Sequence, residues 1–115
     1  MSREYGDYLE DIFKAVESIE EFTRGMNYEE FLEDKKTIFA VVRAFEIIGE
    51  ATKNVPDNIR DNYPNIPWKS MAGMRDKVIH GYFGVDNKVL WKTAKEDIPE
   101  LKSKIKNILE NINQM

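Results

Sequence analysis

The stretch that most constrains this chain runs from residue 91 to residue 112. There Trp91, Ala94, Ile98, Leu101, Ile105, Ile108 and Ile112 recur at alternating spacings of three and four. That spacing lines apolar side chains along one stripe of a helix, whereas a strand would need a period of two. Lasting only about three heptads, the stripe reads as core within one chain rather than as an independent coiled coil. Pro99 interrupts it and has no amide hydrogen. A break or kink is therefore expected near Asp97, with Pro99 in the first turn of the last helix. Asp86 is expected to cap the helix that leads in.

The chain before it is helical by the same test. Residues 4–24 set Tyr5, Tyr8, Leu9, Ile12, Phe13, Val16, Ile19 and Phe22 on one face, and Gly25 fits a helix stop. Asn27 fits an N-cap, with Glu30 completing a capping box. The helix it opens is expected from Tyr28 to about Lys53, ending before Asn54-Val55-Pro56. Its apolar surface is wide, from Phe31 and Leu32 through Ile38, Phe39, Val41, Val42, Phe45, Ile47 and Ile48 to Ala51. Such a helix is either central or shared between a core and a partner chain. Arg43 reads as its wet side, while Glu46 and Glu50 would need partners if buried.

Pro56 can open a short helix from Asp57 to Asn62, and the two prolines within residues 63–67 predict a fixed turn. Pro67-Trp68 then starts a helix with Met71, Met74 and Val78 on one face, stopping around Gly81 to Gly84. No stretch shows sustained strand alternation, a hairpin signal or an internal repeat. The expected fold is all-α: one domain over residues 1–115, an up-and-down bundle of four longer helices plus a short one.

Composition removes several function classes. With 42% apolar and 33% charged residues the chain is of ordinary globular kind. Its longest apolar run, Ile38 to Val42, is far too short to cross a bilayer, and its start does not resemble a signal peptide. The absence of cysteine excludes disulfides, a thiolate nucleophile and a Cys-based zinc site. One histidine excludes a His-rich mononuclear metal site within one chain. A cytoplasmic protein with no metal, no cofactor and no membrane attachment is expected.

The net charge of −4 argues against a general nucleic-acid coat. Charge is uneven, however. Residues 1–67 carry 15 acids and 8 bases, a net of −7; residues 68–95 carry 6 bases and 2 acids, a net of +4. That basic segment contains Arg75-Asp-Lys-Val-Ile-His80-Gly81-Tyr82 and the protein's one histidine. Histidine trades protons near neutral pH, and the planar fork of arginine matches a phosphate. Five residues turn an ideal helix by about 500°, leaving Arg75 and His80 roughly 140° apart. Either the helix unwinds before His80, or the site is shared between two chains across a two-fold axis. Metal-free RNA cleavage needs a base, an acid and a cation at the phosphate, which two copies of this chain would supply. The plainer alternatives are a histidine favoured by the negative end of a helix dipole and an arginine paired with Asp76 or with glutamates. Lys69, Lys77 and Lys88 are further candidates for RNA contact.

The stretch Arg75 to Tyr82 resembles the R-x4-H-x-Y motif of the HepT-like group of HEPN domains. Similar words flank it: Ile47-Ile48-Gly49-Glu50-Ala51, Ile66-Pro67-Trp68, Met71-Ala72-Gly73-Met74, and Tyr82-Phe83-Gly84-Val85-Asp86 with Trp91 beyond. The resemblance covers nearly the whole chain. It implies the toxin half of a type VII-like HEPN/MNT toxin–antitoxin pair, acting as a metal-independent ribonuclease with its site in a homodimer cleft. Arg75 would then polarise the scissile phosphate, His80 would be the acid/base, and Asp76 would support them. The implied partner is an MNT-type nucleotidyltransferase that silences the toxin by transferring AMP to Tyr82. A second reading is a non-catalytic helical module that helps a nucleotidyltransferase bind its substrate or nucleotide.

Overall fold

The computed structural model describes residues 4–78, 84 and 86–113, and among these it is all-α, without strands. Helix α1 spans Tyr5–Thr23 and buries Leu9, Ile12, Ala15, Val16, Ile19 and Thr23. Phe22, expected on that face, is 42% exposed. Ala15 and Thr23 complete the buried face instead, and the Thr23 hydroxyl donates to the Ile19 carbonyl at 2.9 Å. Gly25 follows with φ +77°, a left-handed turn that glycine adopts without a Cβ penalty.

Asn27 caps as expected. Its side chain accepts from the Glu30 N–H at 2.8 Å, and its own N–H donates to Glu30 Oε1 at 3.0 Å. The helix it opens is not continuous to Lys53. It divides at Asp34 into α2, Tyr28–Glu33, and α3, Lys35–Lys53. Asp34 leaves helical geometry (φ −106°, ψ 85°), and its carboxylate accepts the Thr37 N–H at 3.0 Å. A short carboxylate that bonds a nearby backbone amide competes with the helix, which restarts behind it.

The short helix α4, Asp57–Asn62, lies where Pro56 puts it. The next segment comes in two pieces, α5, Trp68–Ala72, and α6, Met74–Val78, divided at Gly73. The expected stop around Gly81 to Gly84 falls largely outside the described residues. Asp86 caps α7, Asn87–Lys92, accepting the Val89 N–H at 3.1 Å. A π turn over Thr93–Asp97 then leads directly into α8, Ile98–Asn113. The expected break near Asp97 is this π turn: the Ile98 N–H reaches back to the Thr93 carbonyl, and Pro99 sits in the first turn of α8.

The core forms where α1 packs along both α3 and α8, with α5 and α6 against α3. Leu9, Ile12 and Ile19 meet Val41, Phe45 and Ile48 of α3 and Ile98, Ile105 and Ile108 of α8 in one buried cluster. Each such side chain contributes about 1.5–3 kcal/mol over leaving it in water. Leu90, fully buried, joins them one residue before the expected stripe position Trp91, which is only partly buried. Among the described residues no helix is long and apolar enough to cross a membrane. On α3, Phe39 is 71% exposed while Ile47 is half-buried, so the wide apolar surface read from the sequence is not all spent on the core.

The Asp34 cap sets a pH dependence. Hydrogen bonds from the Thr37 backbone and hydroxyl favour the ionised carboxylate and hold its pKa below the ordinary 3.8. A lowered acid contributes stability above its unfolded pKa and loses it as pH falls through the folded one. The melting-temperature lead of the natural chain over Asp34→Asn, whose amide does not titrate, is therefore expected to be constant above about pH 5 and to shrink steadily below about pH 4. A lead unchanged at low pH would show that the carboxylate charge does not hold the break.

Candidate functional site

Arg75 stands on α6, and three features fix that helix. Trp68 opens α5 as a buried side chain whose indole N–H donates to the carbonyls of Arg60 at 3.1 Å and Tyr63 at 3.0 Å. This ties the proline turn to the start of the segment. Met71 and Met74 are buried on either side of Gly73, so both short helices are anchored to the core. The end of α5 lies against α3 at Gly49. A Cβ there would stand 3.3 Å from the Ala72 carbonyl oxygen and 3.7 Å from that of Met71.

From this base the Arg75 Nε donates to Glu46 Oε2 of α3 at 3.4 Å, while its Nη1 lies 3.7 Å from Asp76 Oδ1. The Arg75 side chain is 54% exposed and that of Glu46 32%. A pair this wet contributes at most about 1 kcal/mol to folding. Its effect is to aim the guanidinium, which has five N–H donors and keeps several turned to solvent for an oxyanion. So the plain alternative for Arg75, pairing with Asp76 and a glutamate, describes its contacts. Those contacts leave about half of the side chain exposed. Asp76 stands beside Arg75, largely exposed.

His80 and Tyr82 lie outside the described residues, and with them the two arrangements that would join Arg75 and His80 at one phosphate. Of the candidate lysines, Lys69 and Lys77 are brought together and Lys88 is not. Lys69 and Lys77 line a groove of about 720 Å³ between α5–α6 and α8, while Lys88 is exposed on α7. Lys77 Nζ lies 3.6 Å from Asp97 Oδ2, linking α6 to the π turn. A second groove of about 540 Å³ runs between α1 and α3, with Phe22 and Ile47 on its walls and Lys14 and Arg43 at its rim. Among the described residues no three His, Cys, Asp or Glu side chains are grouped to hold a metal ion.

The profile of the family described as Ribonuclease HepT-like matches residues 12–108. The chain belongs to the HepT-like ribonuclease family. A Thermococcus cleftensis protein named "Probable ribonuclease HepT" is 62% identical over 108 residues, covering 94% of this chain and 98% of that protein. A Methanocaldococcus jannaschii protein named as a candidate RNase is 49% identical over 110 residues, 96% of this chain and 91% of its own length. Another, from Caldanaerobacter subterraneus subsp. tengcongensis and also named as a candidate RNase, is 46% identical over 103 residues, 90% and 92% of the two chains. No solved structure gives a significant match.

Two of the stretches that resemble HepT-like chains have a physical role in this fold. Ile47 to Ala51 includes the glycine that lets α5 approach α3, and Ile66-Pro67-Trp68 includes the indole that pins the turn. Residue-by-residue reading passed over Glu46 as a partner of Arg75 and did not single out Lys104, which also lines the groove. No spacing signal points to Glu46, which lies 29 residues before Arg75 and meets it only through packing of α6 on α3.

Gly49→Val is expected to destabilise the HepT-like fold by about 1–3 kcal/mol, since its side chain must displace backbone carbonyls. Gly6→Ala, with nothing within 4 Å of the added Cβ, is expected to gain roughly 0.5–1 kcal/mol by restricting the unfolded chain. Urea unfolding of both checks the contrast. Equal effects at the two glycines would rule out close approach at Gly49 as the reason for its presence.

Proposed function

We propose that this HepT-like protein is a metal-independent endoribonuclease and the toxin of an HEPN/MNT toxin–antitoxin pair, with its site in a homodimer cleft. The observation that carries this is the intact run from Arg75 to His80, Gly81 and Tyr82 in a family member, with Arg75 held half-exposed by Glu46. In the reaction His80 takes the proton from the 2′-hydroxyl, whose oxygen attacks the adjoining phosphorus. The 5′-oxygen leaves and is protonated, giving a cyclic phosphate and a free 5′-hydroxyl. Arg75 meets the charge gathering on the non-bridging oxygens. With one histidine per chain, the second copy supplies the second proton-transfer group.

The exposed face of α3 supports the dimer. Phe39 and Glu46 are seven residues apart, within about 20° on one helix face, so an exposed phenyl ring lies on the face that holds Arg75. A copy seated there would bring its own motif close. AMP transferred to Tyr82 by the partner nucleotidyltransferase would place bulk and negative charge two residues from His80, where RNA must enter. Family membership favours this reading over a helper module without chemistry of its own.

Single-stranded RNA incubated with the purified protein in chelator is expected to be cut, and His80→Ala and Arg75→Ala each to slow cutting by at least about 100-fold. An unchanged rate in either variant removes that residue from the chemistry. Co-expression with an MNT-type nucleotidyltransferase and ATP is expected to add AMP-sized mass steps that Tyr82→Phe abolishes. Steps that persist in Tyr82→Phe place the modification elsewhere.

A further inference from the structure

The groove between α5–α6 and α8 is not explained by folding. Its volume of about 720 Å³ is that of sites that enclose a small organic molecule. Three lysines from three elements meet on it: Lys69 of α5, Lys77 of α6 and Lys104 of α8. Met74 and Leu101 close its floor as buried side chains. Lys69 makes no ion pair among the described residues. The other two are held by carboxylates across or beside the groove, Lys77 by Asp97 at 3.6 Å and Lys104 by Glu100 at 3.2 Å. Both carboxylates are exposed, Asp97 58% and Glu100 72%, so exchanging either for a phosphate costs little stability.

The groove also opens onto the motif helix itself. Lys77 is two residues from Arg75, about 3 Å further along the axis of α6 and roughly 200° round it, so the guanidinium faces α3 and the ammonium faces the groove. A strand whose scissile phosphate lies on Arg75 therefore reaches the groove by turning round α6, where Lys77 stands on the groove side. Cations that track a backbone, over an apolar floor for a base, are the elements of single-strand binding. Lys104 strengthens this assignment. Its ammonium also donates to the Asn65 carbonyl at 3.2 Å, which holds it at the groove from the far wall.

We propose that this groove seats a nucleotide of single-stranded RNA beyond the scissile phosphate, on the other side of α6, with Lys69, Lys77 and Lys104 on its phosphates and the base against Met74 and Leu101. The assignment rests on the ribonuclease reading and extends it from the cleaved bond to the strand beyond it.

The test measures binding without cleavage. A fluorescent RNA decamer is titrated against His80→Ala protein, alone and combined with Lys69→Ala plus Lys104→Ala, over a range of salt. Lys106→Ala, exposed on α8 outside the groove, is the control. Melting curves confirm that each variant is folded, and Lys69→Gln plus Lys104→Gln replaces the alanine pair if they do not. Removal of two phosphate contacts is expected to weaken binding roughly tenfold and to make the log–log salt slope shallower by about 0.7 per contact, while Lys106→Ala changes neither. Unaltered affinity and slope in a protein whose parent cuts RNA overturn the groove assignment and leave the ribonuclease reading standing. A parent that neither binds nor cuts RNA overturns both. Intact RNA binding with loss of the nucleotidyltransferase partner makes the groove a protein-docking surface and likewise overturns the proposal.

Discussion

The approach of α3 to the end of α5 at Gly49 is the constraint on which the site depends. Two backbone carbonyls stand within 4 Å of where a Cβ would be, so the helices touch main chain to main chain. That contact sets how far α6 projects and brings the Arg75 guanidinium within reach of Glu46. Because helix interiors are close-packed, a displacement of even one methylene at this crossing would be carried into α6 rather than absorbed. The arginine itself makes only wet ion pairs, and these do not hold the helix. The placement of α6 comes from Trp68, Met71 and Met74, all buried, and the Glu46 pair only turns the guanidinium on that base.

Local chemistry made much of the fold legible in the sequence. Caps at Asn27 and Asp86 bond amides three residues away, so the residues that decide them are adjacent in the chain. Pro99 announced the distortion before it for the same reason. The break at Asp34 was less visible, because a polar residue inside a long apolar pattern is as easily an exposed helical position as a cap. The face of α1 was misjudged at Phe22, where burial is set by which neighbour arrives and not by hydrophobicity. Division at Gly73 belongs with these, since glycine within a helical pattern is tolerated as often as it terminates.

The site was legible in a different way. Arg75 stood out because its residue type and its spacing to His80 and Tyr82 match a chemistry and a family pattern. Its partner Glu46 did not, because only the packing of two helices relates them. The groove combines both cases: Lys69 and Lys77 come from the basic segment, whereas Lys104 comes from a region of net negative charge. Counting charge along the chain misses a lysine that the fold carries across to the others.

The π turn at Thr93–Asp97 bears on how this family can vary in length. Leu90, Ala94 and Ile98 are all buried, at successive spacings of four. On a regular α-helix each such step overshoots a full turn by about 40°, and the slower winding of a π turn absorbs the overshoot. Removing one residue from this turn would shorten the second step to three and bring an ordinary helix back into phase, with the same side chains inward. The turn thus has the form of an accommodated insertion, a place where relatives one residue shorter can keep an identical core.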